Sequence, residues 1–202
     1  MCIRDSLNHL MKIIDVGFLP EGEIHERSEG TTPYEMARTE RYPFRRIMLA
    51  ADMASGLSPW ATKTLIGYLN DKDSAVRYWG AMGLLMRGKQ GVKGAGKKLE
   101  KALKDNSPYV RVIAAEALGK YGSKEQIESA VKTLGKTADP TKNGCFPSML
   151  AMNAIDHLDE RAKPLLPMIL SMPRIPREVE KRFQGYVGRL VDTTVKELTE
   201  LN

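Results

Sequence analysis

Leu69-Asn70-Asp71-Lys72-Asp73-Ser74-Ala75-Val76-Arg77 is answered 34 residues later by Leu103-Lys104-Asp105-Asn106-Ser107-Pro108-Tyr109-Val110-Arg111. The register holds beyond both arginines: Ala81 matches Ala115, Leu84 matches Leu118, and Gly88 matches Gly122. Self-similarity at this spacing marks a helical-repeat solenoid, in which one unit cannot bury its own apolar face and stacks on its neighbour. A third copy follows with a shift of 37 positions, where Ile113-Ala114-Ala115-Glu116-Ala117-Leu118 corresponds to Leu150-Ala151-Met152-Asn153-Ala154-Ile155. Ser148 stands in that copy where Arg111 stands in the one before. The expected fold class is all-α.

Working outward, helical signals fill residues 43–202. Pro43 suits a first helical turn, and Ile47, Ala50, Ala51 and Ala54 run at helical spacing to Gly56. Ser58-Pro59 opens a second helix, and Asp73 or Ser74 caps a third that ends at Gly88. Gly91 to Lys104 reads as a fourth, weakened at its start by Gly94 and Gly96. Ser107-Pro108 opens the fifth, and Ser123 with Gln126 forms a capping box that opens the sixth. Thr137–Cys145 is expected to be a loop, Ala162–Ser171 a helix, and Val179–Leu190 and Thr193–Leu201 two terminal helical segments. The sum is about ten helices in roughly four to five antiparallel pairs. Residues 1–42 read instead as an irregular N-terminal arm, with a helical turn near Pro33–Arg38.

Composition narrows the function classes. Of 202 residues, 31 are Lys or Arg and 25 Asp or Glu, a formal charge of +6 with the signs mixed along the chain. That is a mildly basic surface, which alone does not indicate nucleic-acid binding. No apolar run approaches the ~20 residues that span a bilayer, so no membrane partner is expected. Cys2 and Cys145 stand far apart and form no disulfide framework. Met1-Cys2-Ile3-Arg4-Asp5-Ser6 resembles translated adapter sequence, so a longer parent protein is expected upstream.

Within each repeat the aspartate and arginine form the expected structural ladder of Asp71, Arg77, Asp105 and Arg111. The carboxylates precede a helix N-terminus, which favours negative charge. Each arginine follows six residues on, within reach of its own or an adjacent aspartate.

The pattern at Asp105–Gly119, and more loosely at Asp71–Leu85, resembles HEAT repeats and implies a HEAT-like α-solenoid over residues 43 to 171. A second resemblance rests on shorter phrases. Asp15-Val16-Gly17-Phe18-Leu19-Pro20-Glu21, Pro33-Tyr34-Glu35-Met36, Tyr42-Pro43-Phe44-Arg45-Arg46-Ile47 and Asp73-Ser74-Ala75-Val76-Arg77-Tyr78-Trp79-Gly80 resemble the C-terminal extension of bacterial type I, alkaline-phosphatase-like sulfatases. That resemblance implies a parent enzyme acting on sulfated glycans, in the periplasm or secreted. The family's Cys/Ser-x-Pro-x-Arg nucleophile motif does not carry over. Cys2 is followed by Ile3-Arg4, and Cys145 is followed by Phe146-Pro147-Ser148-Met149. No catalytic residue, metal ligand or cofactor is therefore assigned, and the chain reads as a non-catalytic accessory module.

Its expected partner is a protein, the sulfatase catalytic domain in cis, docking on Phe18, Leu19, Tyr34, Tyr42 and Phe44. A second candidate surface is anion-binding: Lys89, Lys93, Lys97, Lys98, Lys101 and Lys104 crowd one expected helix and suit a sulfated polysaccharide. The competing function is a nucleic-acid-binding repeat protein using that basic face, which the mixed charge disfavours. The Gly88–Lys98 stretch lacks both the Gly-Lys-Ser/Thr order and the preceding strand of a phosphate-binding loop. His157 with Glu160 lacks a third metal ligand at a suitable spacing, His9 and His25 stand alone, and Asp156, Asp159 and Glu160 read as helix-start acids. Trp60, Tyr78, Trp79 and Tyr109 read as packing residues, with an exposed patch as the other reading.

Overall fold

A computed structural model describes residues 30–39 and 42–200. Every regular element among them is helical, and the fold class is all-α, of the solenoid type. The expectations for Phe18, Leu19, Cys2, His9 and His25 lie outside the described residues. The chain divides into two compact units, one ending at Gly83 and one beginning at Leu84.

The first unit opens with α1 (Pro33–Ala37), started by a capping box in which Thr32 and Glu35 exchange bonds. Then come α2 (Phe44–Ser55), a 3₁₀ turn (Pro59–Ala61), α3 (Thr62–Tyr68) and the start of α4 (Ser74–Met86), which crosses the division. Ala50 and Ala54 of α2, Ala61, Leu65 of α3 and Ala81 of α4 are buried. Small residues bring these helices close: a Cβ added at Gly83 would lie 2.9 Å from the Ala54 Cβ and 2.8 Å from a Leu65 methyl. The carboxylate of Asp73 caps α4, accepting from the N–H of Ala75 at 2.9 Å and of Val76 at 3.4 Å.

The second unit continues through α5 (Gly88–Lys93), α6 (Gly96–Ala102), α7 (Pro108–Tyr121), α8 (Lys124–Ala138), α9 (Pro140–Asn143) and α10 (Cys145–Asp156). A 3₁₀ stretch (Asp159–Leu165), α11 (Leu166–Leu170) and α12 (Lys181–Glu200) complete it. At its centre lies α7, packed against α5, α6, α8 and α10 and buried continuously from Val112 to Gly119. A helix apolar on nearly every side belongs in the middle of a stack rather than at its edge. Its neighbours are amphipathic instead: α8 buries Ala130, Val131 and Leu134 and shows solvent its lysines. Further on, α10 packs on α8 and α7, and α12 closes against α10.

Four element boundaries differ from the sequence reading, each for a local reason. Gly91–Lys104 is two helices, α5 and α6, separated at Gly94-Ala95, and the first begins at Gly88, whose φ of +60° suits glycine. The expected loop over Thr137–Cys145 is mostly helix. Asp139 ends α8 and at once caps α9, its carboxylate accepting from the Thr141 N–H at 3.0 Å, and Gly144 at φ +75° turns the chain into α10. Ala162–Ser171 begins within a 3₁₀ stretch because Pro164 and Pro167 lack the N–H that an α-helix uses. The two terminal segments are one helix, α12. Ser107 takes the expected N-cap position of α7, but its buried hydroxyl has no hydrogen-bond partner among the described residues; the Asp105 carboxylate holds the turn through the Ser107 N–H at 2.9 Å.

Candidate functional site

The repeat arginines act on backbone. Arg77 Nη1 donates to the carbonyls of Asp71 and Lys72, both at 2.9 Å. Arg111 Nη1 donates to those of Asp105 and Asn106, at 2.7 and 3.0 Å. One guanidinium nitrogen thus ties two consecutive carbonyls of the turn that precedes its own helix. The Asp71 carboxylate accepts from the Asp73 N–H at 2.9 Å and from Arg46 of α2. In the copy without the arginine, the Ser148 hydroxyl bonds the carbonyl of Ala138. Two further arginines use the same device elsewhere. Arg161 ties the last carbonyls of α7, Gly119 and Lys120, and Arg174 ties Leu170 and Met172. Carbonyls at helix ends lack intrahelical partners, and a fixed cationic fork satisfies two of them together.

On the first unit, α2 turns its small residues inward and its large ones outward. Phe44, Met48 and Leu49 are exposed, Leu49 by 60%. Next along the chain stand Leu57, exposed and held at φ +51°, and Trp60, exposed by 71%. Tyr34 is exposed as well, its hydroxyl accepting from Arg38 at 2.9 Å. Tyr42 is half-buried, and burial together with the Asp73 charge raises its phenol pKa. Of the expected packing aromatics, Trp60 is therefore at the surface, while Tyr78 and Trp79 meet edge to face at 5.6 Å and Tyr109 is partly buried.

On the second unit, the six expected anion-binding lysines are all exposed but divide between α5 and the α6 region. Of these, Lys104 lines a groove of about 600 Å³. Its other cations are Arg111 from α7 and Lys132 and Lys136 from α8; Glu100 is its one carboxylate. Ser129, Thr133, Thr137 and Asn143 add polar groups, and Leu103 an apolar one. The Thr133 and Thr137 hydroxyls donate back to the carbonyls four residues earlier, at 2.9 and 3.0 Å. Burial lowers the Arg111 pKa, with the Asp105 charge opposing, and the guanidinium stays charged. Lys132 and Lys136 were missed in the sequence reading. The signal was present: Ser129, Lys132 and Lys136 recur at helical spacing opposite the apolar stripe of the capping-box helix, with Thr133 at its flank.

Residues 62–145 match the family model for HEAT repeats. That span runs from the start of α3 to the first residue of α10 and contains both Asp/Arg turns. Among curated proteins, none matches the chain.

Two further titratable clusters stand out among the described residues. His157 Nδ1 lies 2.8 Å from the buried carboxylate of Glu116, linking α10 to α7. A hydrogen bond with Asp156 raises the pKa of Glu197 across a shallow acidic recess that also holds Asp159 and Glu200. Among the described residues, no three His, Cys, Asp or Glu side chains are grouped to hold a metal ion, and no helix is long and apolar enough to cross a membrane. Cys145 is buried, which pushes its thiol pKa up and away from the reactive thiolate.

Proposed function

We propose that this chain is a non-catalytic interaction module of the HEAT-repeat type that docks a protein partner through the apolar face of its first unit. One observation carries the reading: α2 and the turn after it expose Phe44, Met48, Leu49, Leu57 and Trp60 within a short stretch of chain. Clusters of large apolar side chains on a surface mark contact sites, and aromatic and methionine side chains are enriched there. The partner proposed is the catalytic domain of a sulfatase acting on sulfated glycans, joined in cis in a periplasmic or secreted protein. What supports it is the resemblance at Pro33–Met36, Tyr42–Ile47 and Asp73–Gly80.

The test is calorimetric titration of the chain with the domain encoded upstream in the same reading frame. Saturable binding is expected, with L49S/W60S weakening it at least tenfold. No binding by the unaltered, soluble chain would overturn docking. An upstream domain without a sulfatase signature would overturn the parentage alone.

A further inference from the structure

We propose that the groove between α6 and α8 binds an extended acidic peptide segment of a protein partner. The proposal rests on the interaction-module reading but uses the second unit, with no contribution from the apolar face of α2. Four cations from three helical elements converge there, and one carboxylate accompanies them. That carboxylate, Glu100, already accepts from the Gln126 side-chain amide. The groove is therefore strongly complementary to an anion.

Spacing and hydrogen bonding indicate which anion. Ser129 to Thr137 covers about 12 Å of helix, the span of about four residues of extended chain. Lys132 and Lys136 lie one helical turn apart, about 5–6 Å, close to the repeat between alternate side chains of a strand. Carboxylates at alternate positions of an extended peptide therefore meet successive lysines, and an intervening apolar side chain faces Leu103. The Thr133 proton is committed to the Ser129 carbonyl, so this half-buried hydroxyl offers the ligand only oxygen lone pairs. A peptide N–H is a donor suited to such an oxygen, whereas a phosphodiester brings only acceptors. No aromatic side chain lines the groove, so the stacking that holds the bases of a single strand has no platform here.

The experiment is fluorescence anisotropy of the full chain with a labelled Glu-Leu-Glu-Leu-Glu peptide, its Gln-Leu-Gln-Leu-Gln counterpart, and an oligothymidylate of eight nucleotides. Expected are saturable binding of the acidic peptide at low salt, no binding of the glutamine peptide, and weaker binding of the oligonucleotide. The K132Q/K136Q variant alters two exposed side chains, and thermal melting checks that it folds. It should weaken acidic-peptide binding by about tenfold, given two screened ion pairs. The F44S/L49S variant should leave this affinity unchanged, which separates the groove from the α2 face. Equal binding of both peptides, tighter binding of the oligonucleotide, or an unaltered affinity in K132Q/K136Q would each overturn the proposal.

Discussion

One helix of the first unit and the core of the second use hydrophobic bulk in opposite ways. In the first, α2 buries Ala50 and Ala54 and leaves Phe44, Met48 and Leu49 in solvent. In the second, Leu99, Ile113, Leu118, Leu134, Met152, Ile155 and Ile169 are all fully enclosed, and the groove beside α8 is basic. A helix that packs through alanines approaches its neighbour closely but removes little apolar area from water. A helix that packs through leucine and isoleucine removes much more, at ~25 cal/mol per Å². Under the proposed docking, the packed core of the second unit carries stability and the exposed face of α2 supplies the contact.

The largest effect should come from the second unit's centre. Leu118 of α7 has no exposed surface, and Leu118→Ala should cost about 2–5 kcal/mol in denaturant unfolding. A loss under about 1 kcal/mol would mean that α7 is not the centre of its stack. In the first unit the sensitive position is instead a close approach. Gly83→Ala places a methyl 2.9 Å from the Ala54 Cβ and should cost about 1–3 kcal/mol, less the ~1 kcal/mol that alanine's helix propensity returns. Neutral or stabilising behaviour there would show that α2 and α4 can separate without loss. The F44S/L49S pair should change the isolated chain's stability by only about 0.5 kcal/mol per site, since exposed side chains contribute little to folding.

Much of the fold was legible because the repeat writes it twice. The Asp-to-Arg spacing at Asp71–Arg77 and Asp105–Arg111 located both helix starts, and Ser123 with Gln126 located a third. Boundaries went astray where two local preferences met at one residue. Asp139 both ends α8 and caps α9, so the composition of a loop hides a helical turn. The candidate surfaces were legible only in part. Tyr34 and Phe44 could be named from their apolar character, but Leu49 lies on the same apolar helix as buried Ala50, and only packing assigns the faces. The groove was harder still. Lys104 follows α6, Arg111 lies on α7, and Lys132 and Lys136 lie on α8, so no single helical stripe contains them all.

The arginine ties provide a comparison at closer range, because both units use them identically. Arg77→Lys and Arg111→Lys keep the charge and enough N–H donors but replace a rigid planar group with a shorter, flexible ammonium that does not hold both turn carbonyls in place. Each should cost about 1–2 kcal/mol, by the usual net worth of a charge-assisted bond. Equal losses would make the device a general feature of the repeat turn. A loss at Arg77 alone would tie its effect to the first unit's turn, where the Asp71 carboxylate receives Arg46 of α2.

The smallest effect is the acid response of the turn at Asp139, where the second unit departs from the strict repeat. Burial works to raise this carboxyl's pKa, but bonds from Lys142 and from the Thr141 hydroxyl and N–H outweigh it and leave the pKa below the ordinary aspartate value. The unfolded chain therefore binds this proton more readily than the folded one, so stability rises with pH across that interval. The contribution is complete above the unfolded pKa and disappears as pH falls through the lower, folded one. Asp139→Asn retains an oxygen acceptor for the cap but removes the titration. It should flatten the acid limb of the stability curve while costing well under the ~1 kcal/mol typical of deleting a cap at neutral pH. Amide exchange at Thr141, followed from pH 5 down to about 3, reads the event locally. An acid limb unchanged in the variant would place the proton uptake on other carboxylates and leave α9 held by Pro140 and by the Asn143 side chain, whose amide bonds the carbonyls of Lys136 and Asp139.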